Sequence, residues 1–196
     1  MQEISLPITA DLCYTEVRND QEVTAMSFFE LAKNRYSVRS FKNEPISQEH
    51  MALILEAGRI APTACNNQPQ KIYIAKSEES RKKLASVCRC TFDAPVILVV
   101  CYDRTRDWKN KLQPGLESGE TDAAIVCTHM MLQAADLGIG TCWVGYFSPT
   151  TVAEVLELPE NITVSALLPM GYPAEDAQPL PLHSQFRDMG DMVEEI

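Results

Sequence analysis

A continuous apolar run, APVILVVCY at residues 94–102, constrains the fold of this chain more than any other segment. A strand with one face in solvent alternates apolar and polar residues, and this run does not alternate. An uninterrupted apolar run of this length is typical of a strand that is covered on both faces. We therefore expect a strand here that lies deep inside the folded body.

Shorter patterns place the other elements around this strand. Ser77 and Ser148 are predicted helix N-caps, and Gly138 is a predicted helix stop. Five helices are predicted: MSFFELAKN (26–34), about Pro45 to Gly58, SEESRKKLASV (77–87), about Thr121 to Leu137, and Ser148 to about Leu156. Three further strands are predicted: KIYIAK (71–76), TCWVGY (141–146) and TVSALLPMGYP (163–173). On the face of the long helix, Ala124, Cys127, Met131 and Ala134 follow three- and four-residue spacing. This order predicts an α/β or α+β body without an internal repeat.

The chain length predicts a single domain. Its 196 residues are 45% apolar, which is enough for a sizeable core. Residues 1–25 are polar and aperiodic, so we expect an N-terminal arm, and residues 26–196 form the predicted domain. From about residue 174 the tail is rich in proline and charge.

Charge and cysteine content exclude several classes of function. The net charge is -10, which repels the phosphates of nucleic acid. The sequence contains no apolar run of membrane-spanning length and no signal peptide, so a soluble, cytoplasmic protein without a membrane partner is expected. Seven scattered cysteines indicate reduced thiols, and the pair Cys88 and Cys90 lacks a second ligand pair, so no metal site is predicted.

The segment RYSVRSF, residues 35–41, concentrates positive charge in this acidic chain. If the segment is extended, Arg35, Ser37 and Arg39 point to one side, because side chains alternate with a period of two. Two guanidinium groups and a hydroxyl would then converge on an anion such as phosphate. The alternative is a pair of solvated arginines with no ligand.

A second candidate is the loop APTACNNQPQ, residues 61–70, which we call the amide loop. It carries Thr63, Asn66, Asn67 and Gln68 within six residues. Carboxamides both donate and accept hydrogen bonds, which suits the edge of a heterocycle, although such residues are also ordinary in turns.

Two further stretches contain glycine, and other catalytic motifs are absent from the sequence. GIGTCWVG, residues 138–145, follows a helix and enters a strand, which is the reverse of the dinucleotide-binding order and indicates close approach to the backbone instead. LLPMGYP, residues 167–173, is by itself a strand end and a turn.

The chain contains no G-x-S-x-G, H-E-x-x-H or P-loop motif, and His50, His129 and His183 are far apart in sequence.

Taken in order, these segments resemble the FMN-dependent nitroreductase family from Met26 onward. The basic segment resembles the family's R-x-S-x-[RK], the amide loop resembles A-P-[ST]-x-x-N-x-Q-P-W, and LLPMGYP resembles the closing L-x-x-G-Y-P. The resemblance implies a three-layer α/β/α fold of the α+β class, with a mostly antiparallel mixed sheet. It also implies a homodimer with FMN at the interface, in which the amide loop and a C-terminal tail of residues 174–196 reach the partner subunit.

The resemblance implies FMN contacts at Arg35, Tyr36, Ser37, Arg39, Pro62, Thr63, Ala64, Asn66, Gln68, Trp143, Val144, Gly145 and Arg187. Arg35 is expected near the phosphate, and Arg39 near the pyrimidine edge of the flavin, where it would act electrostatically. No side chain is expected to act as acid or base, because the flavin carries the chemistry. Two departures from the family pattern stand out: Gln70 replaces the usual aromatic residue, and the tail offers His183 and Arg187 as phosphate contacts, of which Arg187 is our choice.

The implied activity is two-step hydride exchange, in which NADH or NADPH reduces FMN and a nitroaromatic, quinone or similar acceptor then reoxidises it. Two alternatives remain at this stage. One is a specialised flavin enzyme of the same fold, such as a reductive dehalogenase or a flavin-fragmenting enzyme. The other is a flavin-binding protein without enzymatic activity.

Overall fold

The structure is a computed structural model, and it describes residues 27–196. The predicted N-terminal arm, residues 1–25, lies outside the described residues. Within the described part, the helices are α1 (Phe28–Asn34), α2 (Gln48–Arg59), α3 (Glu78–Val87), α4 (Gly119–Asp136) and α5 (Pro149–Val155). The strands are β1 (Gln70–Ala75), β2 (Val96–Asp103), β3 (Gly140–Thr141) and β4 (Ile162–Gly171).

Serine side chains begin four of these helices. Ser47, Ser77 and Ser148 each accept a hydrogen bond from the backbone N–H three residues later, at the starts of α2, α3 and α5. Ser27 does the same for α1. A side chain of this kind satisfies one of the free N–H groups of the first turn and stabilises a helix by about 1 kcal/mol. The predicted caps Ser77 and Ser148 are thereby confirmed.

The four strands form one antiparallel sheet in the order β1-β2-β4-β3. The buried strand β2 lies in the interior of the sheet, with Val99 opposite Leu167 of β4. A parallel contact occurs at the β3 edge, where Ser37 pairs with Thr141. The expected mostly antiparallel mixed sheet is therefore confirmed.

Successive side chains of β2 enter opposite halves of the core. Val96, Leu98 and Val100 pack with α2 and α4 on one face of the sheet. Ile97, Val99 and Cys101 pack with α3 and α5 on the other face. Burial of each aliphatic side chain stabilises the fold by about 1.5–3 kcal/mol. Helices on both faces of one sheet give the predicted three-layer α/β/α architecture.

Helix α4 packs against α2 at a close contact. A Cβ added to Gly58 would lie 2.8 Å from Cγ of Met130, so a larger residue here would force the Met130 side chain to shift. The buried face of α4 differs from the predicted one. Cys127 and Ala134 are buried, whereas Ala124 and Met131 are only partly buried, because Ala123 and Met130 occupy the adjoining core positions.

The predicted strand TCWVGY is shorter in the structure, because only its first residue belongs to β3. Pairing with β4 nevertheless continues: the N–H of Cys142 donates to the carbonyl oxygen of Pro169 at 3.1 Å, and the N–H of Val144 donates to that of Leu167 at 2.9 Å. The extended stretch ends at Gly145. No helix among residues 27–196 is long and apolar enough to cross a membrane.

Candidate functional site

The basic segment lies along the β3 edge of the sheet. Val38 is buried, and its N–H donates to the carbonyl oxygen of Thr141 at 2.9 Å. A Cβ on Gly140 would lie 2.6 Å from Cγ2 of Val38, so the close approach of segment and strand requires glycine at this position. Because Val38 points inward, its neighbours Ser37 and Arg39 point away from the core, as the period of two predicts.

The positive charges of this segment are not neutralised by the described part of the chain. No carboxylate among residues 27–196 forms an ion pair with Arg35 or Arg39. The Nη1 of Arg39 donates to the carbonyl oxygen of Ser37 at 2.9 Å, and its Cζ lies 6.0 Å from the centre of the Phe92 ring. Two neighbouring guanidinium groups without a carboxylate partner among residues 27–196 suit an anionic ligand.

A surface cavity of about 360 Å³ brings these side chains together, and we call it the basic pocket. Arg35, Tyr36, Ser37 and Arg39 all line it, so the structure places these four predicted residues around one space. The remaining wall comes from Lys33 and from the C-terminal tail, including His183.

The thiol of Cys142 lies beneath the basic segment. Burial raises the pKa of this thiol, while the charge of Arg39, a hydrogen bond with Ser37 and the charge of Arg35 act in the opposite direction. The positive potential of the segment therefore extends to the start of the stretch 142–145.

Residues 142–145 carry three of the other predicted FMN contacts, Trp143, Val144 and Gly145. Val144 is buried, and Trp143 is half-buried against the α2 and α4 side of the core. Gly145 is exposed, and a Cβ added there would meet nothing within 4 Å. The space above Gly145 is therefore open, and a flavin contact there stays a prediction.

The amide loop has a tight backbone with three residues in left-handed conformation. Cys65, Asn66 and Gln68 have φ of 51°, 54° and 49°. The hydroxyl of Thr63 accepts a hydrogen bond from the N–H of Gln68 at 3.0 Å, which closes the turn. Asn66 and Gln68 are exposed, as a ligand-contacting role requires, and Pro62 is exposed beside them.

A buried carboxylate that the sequence analysis missed holds this loop. Asp122, in the first turn of α4, is 2% exposed. Its Oδ1 accepts from the N–H of Ala64 at 2.9 Å, and its Oδ2 accepts from the hydroxyl of Ser118 at 2.7 Å. An acidic residue in a first helical turn is ordinary, because it interacts favourably with the helix dipole. The sequence therefore gave no signal that Asp122 also holds a distant loop.

The two groups of predicted contacts lie apart within one chain. None of the described residues of the amide loop lines the basic pocket. Arg187 also lies outside that pocket: its side chain is exposed, and its Nη2 donates to the carbonyl oxygen of Asp191 at 2.9 Å. His183, by contrast, faces the basic pocket, with its ring centre 6.2 Å from that of Tyr36.

Comparison with known proteins identifies the family. The family model of the Nitroreductase family matches residues 32–93 and 88–172 of the chain. The chain belongs to the nitroreductase family. Both the basic segment and the amide loop fall within the matched residues.

Solved structures of the nitroreductase family share the fold. A nitroreductase family protein from Clostridium difficile 630 is 34% identical, with a TM-score of 0.80 over 86% of this chain and 98% of that one. A protein from Desulfovibrio desulfuricans, solved in complex with FMN, is 27% identical, with a TM-score of 0.73 over 86% of this chain and 95% of that one. Among curated relatives, the FMN reductase (NAD(P)H) of Bacillus subtilis strain 168 is 32% identical over 156 residues, which are 71% of this chain and 63% of that protein.

Proposed function

We propose that the protein is an FMN-dependent NAD(P)H oxidoreductase that reduces nitroaromatic compounds, quinones or similar acceptors. The observation that carries this proposal is the basic pocket, where Arg35 and Arg39 converge without a carboxylate partner from residues 27–196. Membership of the nitroreductase family supports FMN as the anion that they meet. Relatives named as an FMN reductase (NAD(P)H) and as an NADPH-dependent oxidoreductase support NADH or NADPH as the electron donor.

The residues present fit FMN in charge and in hydrogen-bonding chemistry. Guanidinium groups bind phosphate through paired N–H donors, and the family resemblance implies that Arg35 lies at the phosphate end. The exposed side chains of Asn66 and Gln68 offer both donors and acceptors to a ring edge. The open backbone at Gly145 leaves room for a flat ring, and the stretch before it is anchored on both faces of the sheet, by Trp143 on one and Val144 on the other.

Bound FMN would accept a hydride from NADH or NADPH and pass it to the acceptor. The protein's own residues would bind the flavin, orient it and polarise its ring. Arg39 supplies a positive charge. Its hydrogen bond to the carbonyl oxygen of Ser37 and its position near the Phe92 ring hold the guanidinium in place. A fixed cation stabilises negative charge that develops beside it, so Arg39 favours reduction of the flavin.

We further propose a homodimer in which the amide loop completes the partner's site. The loop contributes nothing to the basic pocket of its own chain, which supports a contribution in trans. Large apolar side chains are exposed on α1 and on the tail, as a dimer interface requires: Phe28 is 71% exposed, Phe29 69% and Phe186 82%. The start of the tail packs on its own chain, where Ala174 bonds Ser40 and Ala177 bonds Tyr36, so the tail would reach the partner through its later residues. The cytoplasm is the expected location.

The first experiment is the visible absorption spectrum of the purified protein, followed by anaerobic titration with NADH and, separately, NADPH. We expect a flavin band that bleaches with at least one of the two donors. A flavin band that never bleaches would show that the protein binds flavin but does not accept electrons from NADH or NADPH. No flavin band, even after incubation with FMN, would overturn the assignment of Arg35, Ser37 and Arg39.

A further inference from the structure

A second surface cavity lies between α3 and the turn at residues 91–94 that leads into β2, and we call it the α3 pocket. Its volume is about 300 Å³. Four charged side chains line it, together with one buried hydroxyl and three apolar residues. None of its lining residues belongs to the basic pocket or to the amide loop, so the α3 pocket is separate from the predicted flavin contacts.

The four charged side chains of the α3 pocket fall into a neutralised pair and an unpaired set. The Nζ of Lys82 lies 2.6 Å from Oε1 of Glu78, so these two groups neutralise each other. Arg81 and Asp93 form no ion pair with each other or with any other group among residues 27–196. Within the described part of the chain, the pocket therefore offers one unpaired cation and one unpaired carboxylate.

The guanidinium of Arg81 is held against the protein and is not extended into solvent. Its Nε is buried and has no hydrogen-bond acceptor among the described residues. A buried donor without an acceptor is unfavourable, and most such groups in folded proteins have a partner. The Arg81 side chain therefore has unused hydrogen-bonding capacity, and a carboxylate is the group that best matches a guanidinium.

The backbone of the turn fixes the position of Asp93 at the pocket. Phe92 and Asp93 both adopt left-handed conformations, with φ of 53° and 49°. The N–H of Ala94 donates to the carbonyl oxygen of Thr91 at 3.1 Å, which closes the turn. Because the carboxylate stands on a backbone that is already ordered, a ligand would bind it at a smaller cost in entropy.

Apolar side chains line the deeper part of the pocket. Ala94 and Ile97 are each 1% exposed, and Ala85 of α3 also lines the cavity. Thr91, which is 6% exposed, adds a buried hydroxyl. The pocket thus combines a site for a carboxylate, a site for a cation and an aliphatic surface.

We propose that the α3 pocket binds a free α-amino acid with an aliphatic side chain, with its carboxylate on Arg81 and its ammonium group on Asp93. Both contacts are charge-assisted hydrogen bonds, and burial of the aliphatic side chain against Ile97 adds to the affinity. A simple anion would leave Asp93 to repel it, and a simple amine would leave Arg81 to do so, so the pocket selects a molecule that carries both charges.

The test is isothermal titration calorimetry of the full-length protein as purified, with L-leucine as the probe. Two analogues lack one charge each: isocaproate has no ammonium group, and isopentylamine has no carboxylate. Glycine has both charges and no side chain. This series uses the wild type alone, so it tests the proposal independently of the stability of any variant.

The matched variants are Arg81→Gln and Asp93→Asn. Asparagine tolerates the left-handed conformation, so the turn at residue 93 should be preserved. Lys111→Gln removes an exposed cation outside the pocket and serves as the control. Thermal unfolding of each variant checks that it is folded.

We expect L-leucine to bind the wild type and Lys111→Gln equally, and to bind Arg81→Gln and Asp93→Asn at least about tenfold more weakly. The three analogues should bind the wild type more weakly than L-leucine does. No saturable binding of L-leucine by the wild type, or wild-type affinity in either folded pocket variant, would overturn the inference. Isocaproate or isopentylamine binding as tightly as L-leucine would show a site for a single charge and would overturn it as well. The proposed flavin chemistry would stand in each case, because it depends on residues outside this pocket.

Discussion

The backbone N–H of Ala64 donates a hydrogen bond to the Oδ1 of Asp122, 58 residues later, at 2.9 Å. This bond joins the amide loop to the first turn of α4. The loop backbone adopts left-handed conformations at three residues other than glycine, which are costly without such support. Asp122 is thus a positioning residue for the amide loop.

Replacing Asp122 with asparagine should destabilise the protein and loosen the loop. The asparagine side chain has one acceptor oxygen in place of two, so either the N–H of Ala64 or the hydroxyl of Ser118 loses its acceptor. We expect the free energy of unfolding to fall by about 1–3 kcal/mol, measured by urea denaturation. Glu154→Gln, at an exposed position of α5, is the control and should change stability little. Equal stability of the two variants would contradict the role of Asp122.

Gly140→Ala should displace the basic segment from the sheet. The added Cβ would lie within 3 Å of three carbon atoms of Val38, a stiff β-branched residue. We expect a loss of about 1–3 kcal/mol in stability together with weaker FMN binding. The control is Gly190→Ala, where a Cβ meets nothing within 4 Å. FMN affinity equal to that of the wild type in Gly140→Ala would show that the segment tolerates the displacement.

Arg39→Gln should make bound flavin harder to reduce, because it removes the cation that stabilises negative charge on the reduced ring. We expect the two-electron midpoint potential to fall by about 30 mV, the change that corresponds to a tenfold shift in the equilibrium. The measurement is a spectroscopic redox titration with a reference dye. Lys82→Gln, which removes an exposed charge on α3, should leave the potential unchanged. An unchanged potential in Arg39→Gln would place the guanidinium away from the flavin ring.

Two cysteines should resist alkylation in the native protein. Burial raises the pKa of the thiols of Cys101 and Cys127 to about 12. At pH 8 their thiolate fraction is therefore on the order of one in ten thousand, and the thiolate is the reactive form. Of these two thiols and that of exposed Cys65, the Cys65 thiol should react with iodoacetamide first, and peptide mass spectrometry after timed quenching distinguishes the three sites. Rapid native-state modification of Cys101 or Cys127 would indicate opening of the core.

Prediction from sequence succeeded where the signal is local. The apolar run of β2 predicted burial on both faces, because every second residue enters a different half of the core. Ser77 and Ser148 predicted helix starts through a bond that spans only three residues. Gly138 predicted the end of α4, and it has a φ of 71°.

Prediction was less accurate where packing decides between similar alternatives. Ala124 and Met131 have the same spacing as the core residues of α4, but the rotation of the helix against α2 places Ala123 and Met130 in the core instead. The stretch after Thr141 has strand-like composition, and its pairing with β4 becomes irregular before Gly145.

The sequence by itself determined the order of the elements, the buried strand and the basic segment that carries Arg35 and Arg39. Each of these depends on residues that are close together along the chain. Only the tertiary structure decided that Asp122 holds the amide loop, and that His183 rather than Arg187 faces the basic pocket. Such contacts join segments far apart in sequence, as the bond between Tyr36 and Ala177, 141 residues apart, illustrates. Their partners are selected by the packing of the whole sheet and its helices, and no local pattern encodes them.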